Sequence, residues 1–348
     1  MCLPPPLLSI ITPVYNGQDH ILTSINSVLN QGFSVNELEV ILINDGSTDN
    51  TKSIIDEAAK KHSFIKAYHQ TNKGPGITRN LSLNYASGKY IYFLDADDFL
   101  APKSLIILIN KMLDDKLELI GFKSENNYTV IPKTIPESTI NKKLNETSII
   151  SGKDFIETHN FTNTVWWYIC NREFLLKTNL KNSEENQLED CVFTANLLIK
   201  TPRMMYLPLS IHNYHIRGSS IMHNNNPIHY KNMVFMYTNT AIAYGHFIDE
   251  IKLEHDDITE PILSRLKARQ QWLSFFGLVR AVKSDISTKE LNTMLNNMEK
   301  ANAYPLNNFI GKDNNGFKLK FTSSIFSKRF LLKSILISYK LRSHIKKN

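Results

Sequence analysis

Residues Tyr90–Phe99, YIYFLDADDF, decide how this chain is read. The first four are apolar or aromatic and favour a strand. Three carboxylates then arrive within four positions, Asp95, Asp97 and Asp98. A buried strand that ends in clustered acids needs a positive partner, because desolvating unpaired carboxylates is costly. A divalent cation answers that need. Mg2+ and Mn2+ prefer hard oxygen ligands and commonly take one or two carboxylates together with substrate phosphates. An exposed acidic turn after an edge strand is the competing reading.

Working outward, Leu7–Val14 (LLSIITPV) reads as a buried strand stopped by Pro13, and His20–Gln31 as an amphipathic helix. Leu38–Ile43 is a second strand, followed by Asn44–Asp49, a turn of small oxygen-bearing residues before a helix over Thr51–Lys61. Phe64–His69 is a third strand, Tyr90–Leu94 a fourth and Leu117–Phe122 a fifth, with helices through Arg79–Tyr85 and Leu105–Leu113 between them. Pro102 fits a first helical position, and Asp98 has two readings, support for a metal's ligand shell or, the favoured one, a cap on that helix. Strands alternating with helices predict an α/β fold with a doubly wound, mostly parallel sheet. Ligands of such sheets bind beyond the strands' carboxyl ends. Pro13–Asn16, Asn44–Asp49 and Asp95–Asp98 all lie there, so three loops converge on one edge. Further on, Asn126–Glu146 is polar and reads as a loop with room for a short hairpin. Thr164–Leu176 is apolar and aromatic, Leu188–Lys200 helical, Met204–Tyr214 strand-like and Tyr230–Arg280 mainly helical.

Composition narrows the class. The 348 residues are 42% hydrophobic and 21% charged, enough for a sizeable core. Three cysteines without a CxxC pair give no disulfide framework and no thiolate zinc site, and fit a reducing compartment. The N-terminus, MCLPPPLLSIITPV, lacks a basic leader and is broken by prolines, so no signal peptide is expected. No apolar run reaches the length of about 18 residues that spans a bilayer. The net charge of +7 is uneven: from Lys318 onward there are nine Lys/Arg and no Asp or Glu, which leaves the body slightly acidic. A nucleic-acid binder would spread its basic residues over the body, and is not expected. A dinucleotide-binding loop needs several glycines after the first strand, where Pro13–Gly17 offers one; no GxxxxGK[ST] phosphate loop occurs either.

The order of motifs resembles glycosyltransferase family 2, with its GT-A fold. The matching pieces are SIITPVYNG at Ser9–Gly17, ILINDGSTDNT at Ile41–Thr51, GITRNLSLNYASGKYIYFLDADD at Gly76–Asp98 and LEDCVF at Leu188–Phe193. The resemblance implies a metal-dependent transferase that takes a sugar from a nucleotide sugar, most often a UDP-sugar, with inversion at C1. It implies that Asp45 accepts the uracil N3–H, that the backbone at Pro13 and Val14 flanks the base with Tyr15 stacking on it, and that Arg79 reaches the nucleotide. Asp95 and Asp97 match its D-x-D, Asp95 toward the ribose or the metal's water and Asp97 as the firmest metal ligand. Asp190 of the Glu189–Asp190 pair matches its catalytic base, with Glu189 beside the acceptor. YHIRGSSIMH, Tyr214–His223, resembles its mobile loop, in which Arg217 would pair with phosphate and His215 would complete the metal shell.

Trp166 and Trp167 offer aromatic faces for an acceptor sugar, and one of the two is expected in the core. The implied organisation is a GT-A domain over 1–225 (nucleotide-sugar half 1–125, acceptor half 126–225), a helical region over 226–316 and a basic amphipathic tail over 317–348. Such a tail suits the interface of an anionic membrane, giving an expected location at the inner face of the cell membrane, where glycan or lipid-linked acceptors lie. A nucleotide-sugar-binding module without transfer activity and a sugar-nucleotide pyrophosphorylase are the rival readings. The second needs a glycine- and lysine-rich loop near the N-terminus that Pro13–Gly17 does not supply.

Overall fold

The structure is a computed structural model and describes residues 4–129, 131–184, 188–216, 227–307 and 317–345. The chain forms two compact units, Met1–Arg217 and Gly218–Asn348. In the first, β1 (Leu8–Val14), β2 (Leu38–Asp45), β3 (Ile65–Gln70) and β4 (Tyr90–Phe93) alternate with α1 (Ile21–Leu29), α2 (Thr51–Lys61) and α3 (Pro75–Ser82). There follow β5 (Phe99–Leu100), α4 (Ser104–Asp114), β6 (Leu119–Asn127), α5 (Glu137–Glu146), α6 (Gly152–Thr158), β7 (Tyr168–Asn171), α7 (Arg172–Lys177), α8 (Asp190–Lys200) and β8 (Met204–His215).

The sheet order is β3-β2-β1-β4-β7-β6-β8-β5. Its first half is parallel throughout, with Leu8 opposite Leu38 on one side and Tyr90 on the other. Every residue of β1 but one, and all of β2 and β4, are buried, as continuous apolar runs in a sheet covered on both faces should be. The second half is mixed: β7 runs antiparallel to β4 and β6, while β6 and β8 are parallel. This orientation brings the residues before β7, including Trp166, to the edge where β1, β2 and β4 end. It brings the C-terminal ends of β6 and β8 there too.

Two local expectations are corrected, and one stretch given no element by its sequence divides into two. The polar stretch Asn126–Glu146 carries a helix, α5, because Ile140 and Leu144 lie one turn apart and are buried against the core. The aromatic stretch before Leu176 divides into β7 and α7, with Asn171 accepting the N–H of Phe174 as the cap. Pro102 lies outside α4, whose N-terminus is capped from elsewhere. The buried Gln31 side chain accepts the N–H groups of Ser104 and Leu105 at 3.2 and 2.9 Å and donates to the carbonyls of Ser27 and Ala101.

The second unit is helical: α9 (Pro227–Glu254), α10 (Glu260–Lys283), α11 (Thr288–Lys300), α12 (Phe317–Phe326) and α13 (Arg329–Ile345). α10 packs against α9 and α13. Thr259 caps α10, and Ser287 with Glu290 forms a capping box on α11. The basic tail is two helices rather than one, divided at Ser327, whose carbonyl accepts the Tyr304 hydroxyl at 3.0 Å. No described helix is long and apolar enough to cross a membrane.

Gln31→Ala would leave two buried N–H groups and two carbonyls without these partners. It should lower the unfolding free energy by about 2–3 kcal/mol in a urea titration; an unchanged midpoint would contradict this account of α4's start.

Candidate active site

The loop after β1 and the loop after β2 are tied to each other before anything else binds. Asn16, with a positive φ of 49°, donates its N–H to the Ser47 hydroxyl and accepts from the Thr48 N–H at 2.8 Å. Gly17 donates to the Thr51 hydroxyl and Gln18 to Asp49, which also caps α2 through the Thr51 N–H. Val14 is wholly buried beneath this pair of loops, Pro13 is half-buried, and Tyr15 stands 53% exposed at the rim, a side chain available for stacking.

Asp45 is 4% exposed at the end of β2. Its carboxylate accepts the N–H groups of Lys73 and Gly74 at 2.8 and 2.9 Å and the Gln70 amide at 2.8 Å. Asp45 therefore holds the start of α3 against the sheet, and Gly74 takes a φ of 84° there that suits glycine. Each carboxylate oxygen has two acceptor directions, so this anchoring leaves capacity for one further donor.

Arg79, on α3, lies in the interior, 5% exposed. Its guanidinium bonds Asp95 at 2.7 Å and forms a short ion pair with Glu189. Burial alone would lower the Arg79 pKa, but Asp95, Glu189 and Asp190 together hold it above the ordinary arginine value. Arg79 is engaged by carboxylates of its own chain, and Glu189, 4% exposed, is its buried counter-ion. The close approach requires Gly76, where a Cβ would run into the Ser183 carbonyl and press on Glu189.

Asp190 opens α8 and is buried, only 9% exposed. Burial, then the neighbouring Glu189 charge, push its pKa well above the usual aspartate range, with Arg79 pulling the other way. Glu189 is raised by burial in the same manner, opposed by Arg79. Asp95 and Asp97 are both half-buried at the end of β4. A carboxylate pair of this kind fits a divalent cation that takes its remaining ligands from phosphate oxygens. The third expected ligand does not join them: among the described residues no three His, Cys, Asp or Glu converge on a point that could hold a metal. The His215 ring instead lies edge-on to His20 at 5.5 Å, and its Nδ1 is buried without a hydrogen-bond partner. Arg217 and His223 lie outside the described residues.

Asp98 does not cap α4. It is fully buried, accepts the His215 N–H at 2.9 Å and lies 3.1 Å from Nε2 of the equally buried His212. Burial pushes its pKa up to about 6, against the opposing pull of His212. His212 shares a hydrogen bond with the Ser124 hydroxyl at 2.8 Å, and Trp166 stacks on its ring at 4.4 Å. Asp98 thus joins the acidic loop to β8. No local sequence signal pairs these two residues, because the pairing runs across 114 positions of chain and depends on β8 lying next to β5. Of the two indoles, Trp167 is the core residue, 3% exposed and packed on Phe155, Tyr168 and Tyr206. Trp166 is half-buried at the site's edge, held by the Tyr92 hydroxyl on its carbonyl.

Glu189→Ala would leave Arg79 with only one of its two directly bonded carboxylates, Asp95. It should lower the unfolding free energy by about 3 kcal/mol in urea, and Gly76→Ala should destabilise the same contact. Full stability of both variants would remove Arg79 from the centre of this description.

Residues 9–174 match the model of glycosyl transferase family 2. The chain is 29% identical over 218 residues to the uncharacterized glycosyltransferase YibD of Escherichia coli K12, covering 62% of each protein, so it spans less than two thirds of that relative's length. Among solved structures, S. aureus TarS 1–349 in complex with UDP-GlcNAc superposes with a TM-score of 0.62 at 18% identity, over 96% of this chain and 91% of that one. The mannosyltransferase PcManGT of Pyrobaculum calidifontis, in complex with GDP-Man and Mn2+, superposes at 0.53 and 14% identity, over 99% and 88%. At these identities the structural likeness is one of fold. The matched sequence and the sheet order together make residues 9–174 a domain of glycosyl transferase family 2, set in a GT-A-like fold.

Proposed function

We propose that this chain is an inverting, metal-dependent transferase that moves a hexosyl or N-acetylhexosaminyl group from a UDP-sugar to a hydroxyl of a glycan or lipid-linked acceptor. In this reading it works in surface polysaccharide synthesis at the inner face of the cell membrane. The observation that carries the reading is the placement of Asp190, a buried carboxylate of raised pKa, within the charge cluster that also holds Asp95. The guanidinium bonds Asp95 and Glu189, so it links the acidic loop to the residue beside the base.

The donor's base lies over the β1 and β2 loops, flanked by the backbone at Pro13 and Val14, with Tyr15 stacking and Asp45 accepting the uracil N3–H. Its diphosphate lies toward Asp97 and Asp95, with Arg217 as a further phosphate partner. A divalent cation, Mn2+ or Mg2+, bound there supplies charge neutralisation for the departing UDP. TarS with UDP-GlcNAc and PcManGT with GDP-Man and Mn2+ support a nucleotide-sugar donor and a metal. Asp190 takes the proton from the acceptor hydroxyl as its oxygen attacks C1 of the sugar. The bond from C1 to the diphosphate oxygen breaks on the opposite face, so the configuration inverts. A carboxylate with a raised pKa is the better base at neutral pH, since proton transfer is favoured when the base's pKa approaches the working pH. Trp166, stacked on His212, offers its ring to the acceptor sugar.

Two outcomes test this. Asp190→Asn should lower kcat by about 10²–10⁴-fold while leaving calorimetric UDP binding nearly unchanged, whereas Asp97→Ala should weaken UDP binding only when Mn2+ is present. An Asp190→Asn enzyme with full activity would sink the assignment of the base. The second outcome concerns pH. Asp190 must be ionised to act, so transfer should fall on the acid side at a pH above the ordinary aspartate range. Glu189→Gln removes the adjacent negative charge and should move that acid limb to lower pH in a profile of kcat/KM.

A further inference from the structure

We propose that the outward face of α13, with α12 beside it, docks this protein on the surface of an anionic lipid bilayer. Phe330, Ile337 and Leu341 are 77%, 48% and 62% exposed. With Ser334 they recur at intervals of four, three and four residues, so they fall on a single stripe of the helix. Ser334 turns its hydroxyl back to the Phe330 carbonyl at 3.1 Å, which leaves the stripe with little polar demand. The opposite face is already used: Leu332 and Leu336 are buried, Arg329 bonds Glu299 and Asn296, and Lys340 donates to the Ile286 carbonyl. The helix is thus anchored to its own unit on one side and presents bulky apolar groups on the other. On α12, Phe321 adds a ring that is 59% exposed.

Charge chooses the occupant. Residues 317–345 carry seven Lys/Arg and no Asp or Glu. Lys320 and Lys328 are exposed and Lys333 is half-buried on the flank of the stripe. A second copy seated symmetrically on this face would bring two acid-free basic helices together, which like-charge repulsion opposes. An anionic headgroup layer complements both features at once, apolar side chains entering the acyl boundary while ammonium groups meet phosphates. Three or four apolar groups give a shallow, reversible attachment, and the electrostatic part makes it depend on lipid charge and salt.

The test uses the full chain and two kinds of vesicle, phosphatidylcholine alone and phosphatidylcholine mixed with phosphatidylglycerol. The protein should sediment with the mixed vesicles, poorly with the neutral ones, and less as salt rises. The triple variant Phe330→Ser, Ile337→Ser, Leu341→Ser should bind the mixed vesicles at least about tenfold more weakly. Its thermal melt and UDP binding should match the unsubstituted chain, because none of the three side chains is buried. Lys320→Gln, Lys328→Gln, Lys333→Gln should remove most of the salt dependence. Equal sedimentation of the triple serine variant and the unsubstituted chain would overturn the proposal, as would no vesicle binding by the latter. A change from dimer to monomer in the serine variant, without any loss of vesicle binding, would instead make the face a protein interface and also overturn it.

Discussion

A guanidinium buried among carboxylates sets the geometry of this site. Removing Arg79 from water is tolerable only with Asp95 and Glu189 against it, since an unpaired charge in the interior is strongly destabilising. That requirement pulls three separate pieces of chain together: α3, the loop leaving β4 and the N-terminus of α8. It places Asp190 beside a negative neighbour and a positive one, so burial raises its pKa while Arg79 limits the rise. It also explains why α3 carries a glycine at 76, where the backbone around Ser183 passes too close for a side chain.

The second joint, Asp98 with His212, ties the acidic loop to β8 as Arg79 ties it to α3 and α8. One carboxylate oxygen takes the His215 N–H and the other faces the His212 ring, so the acidic loop is held against β8. Trp166 rests on that ring. The orientation of β7, antiparallel between β4 and β6, is what puts Trp166 and β8's last residues at the edge where β1, β2 and β4 end. A wholly parallel continuation would have sent them to the opposite end of the sheet.

The helical unit follows a different logic. Its long helices bury apolar side chains against each other, with Gln270 bridging the carbonyls of Ala241 and Ala301 at 3.1 and 2.8 Å in the interior. α13 departs from the rule that large apolar groups face inward: Phe330, Ile337 and Leu341 are exposed along one stripe, and Tyr339 is exposed away from it. A contiguous exposed stripe on an acid-free helix marks a surface used for association, whereas isolated exposed leucines carry no such meaning.

The amino-acid sequence by itself determined the parallel half of the sheet, the edge on which the loops converge and the D-x-D carboxylates. Those features are local: apolar runs of strand length, turn residues at their ends and acids within four positions report themselves through neighbours in the chain. It also carried the composition of the basic tail, though not its division at Ser327. Only the tertiary structure decided what each polar group faces. Asp98 lies at the start of a plausible helix cap, yet Gln31, over seventy positions upstream of Ser104, supplies that cap, and Asp98 turns to His212 instead. Glu189 and Arg79 look like solvated charges on two helices until the fold buries them together. Trp166 and Trp167 are adjacent and alike in sequence, and the turn before β7 sends Trp167 inward and leaves Trp166 at the edge. Long-range burial decides these outcomes, because the cost of desolvating a charge or an indole N–H depends on which partner the fold delivers and not on the residues beside it.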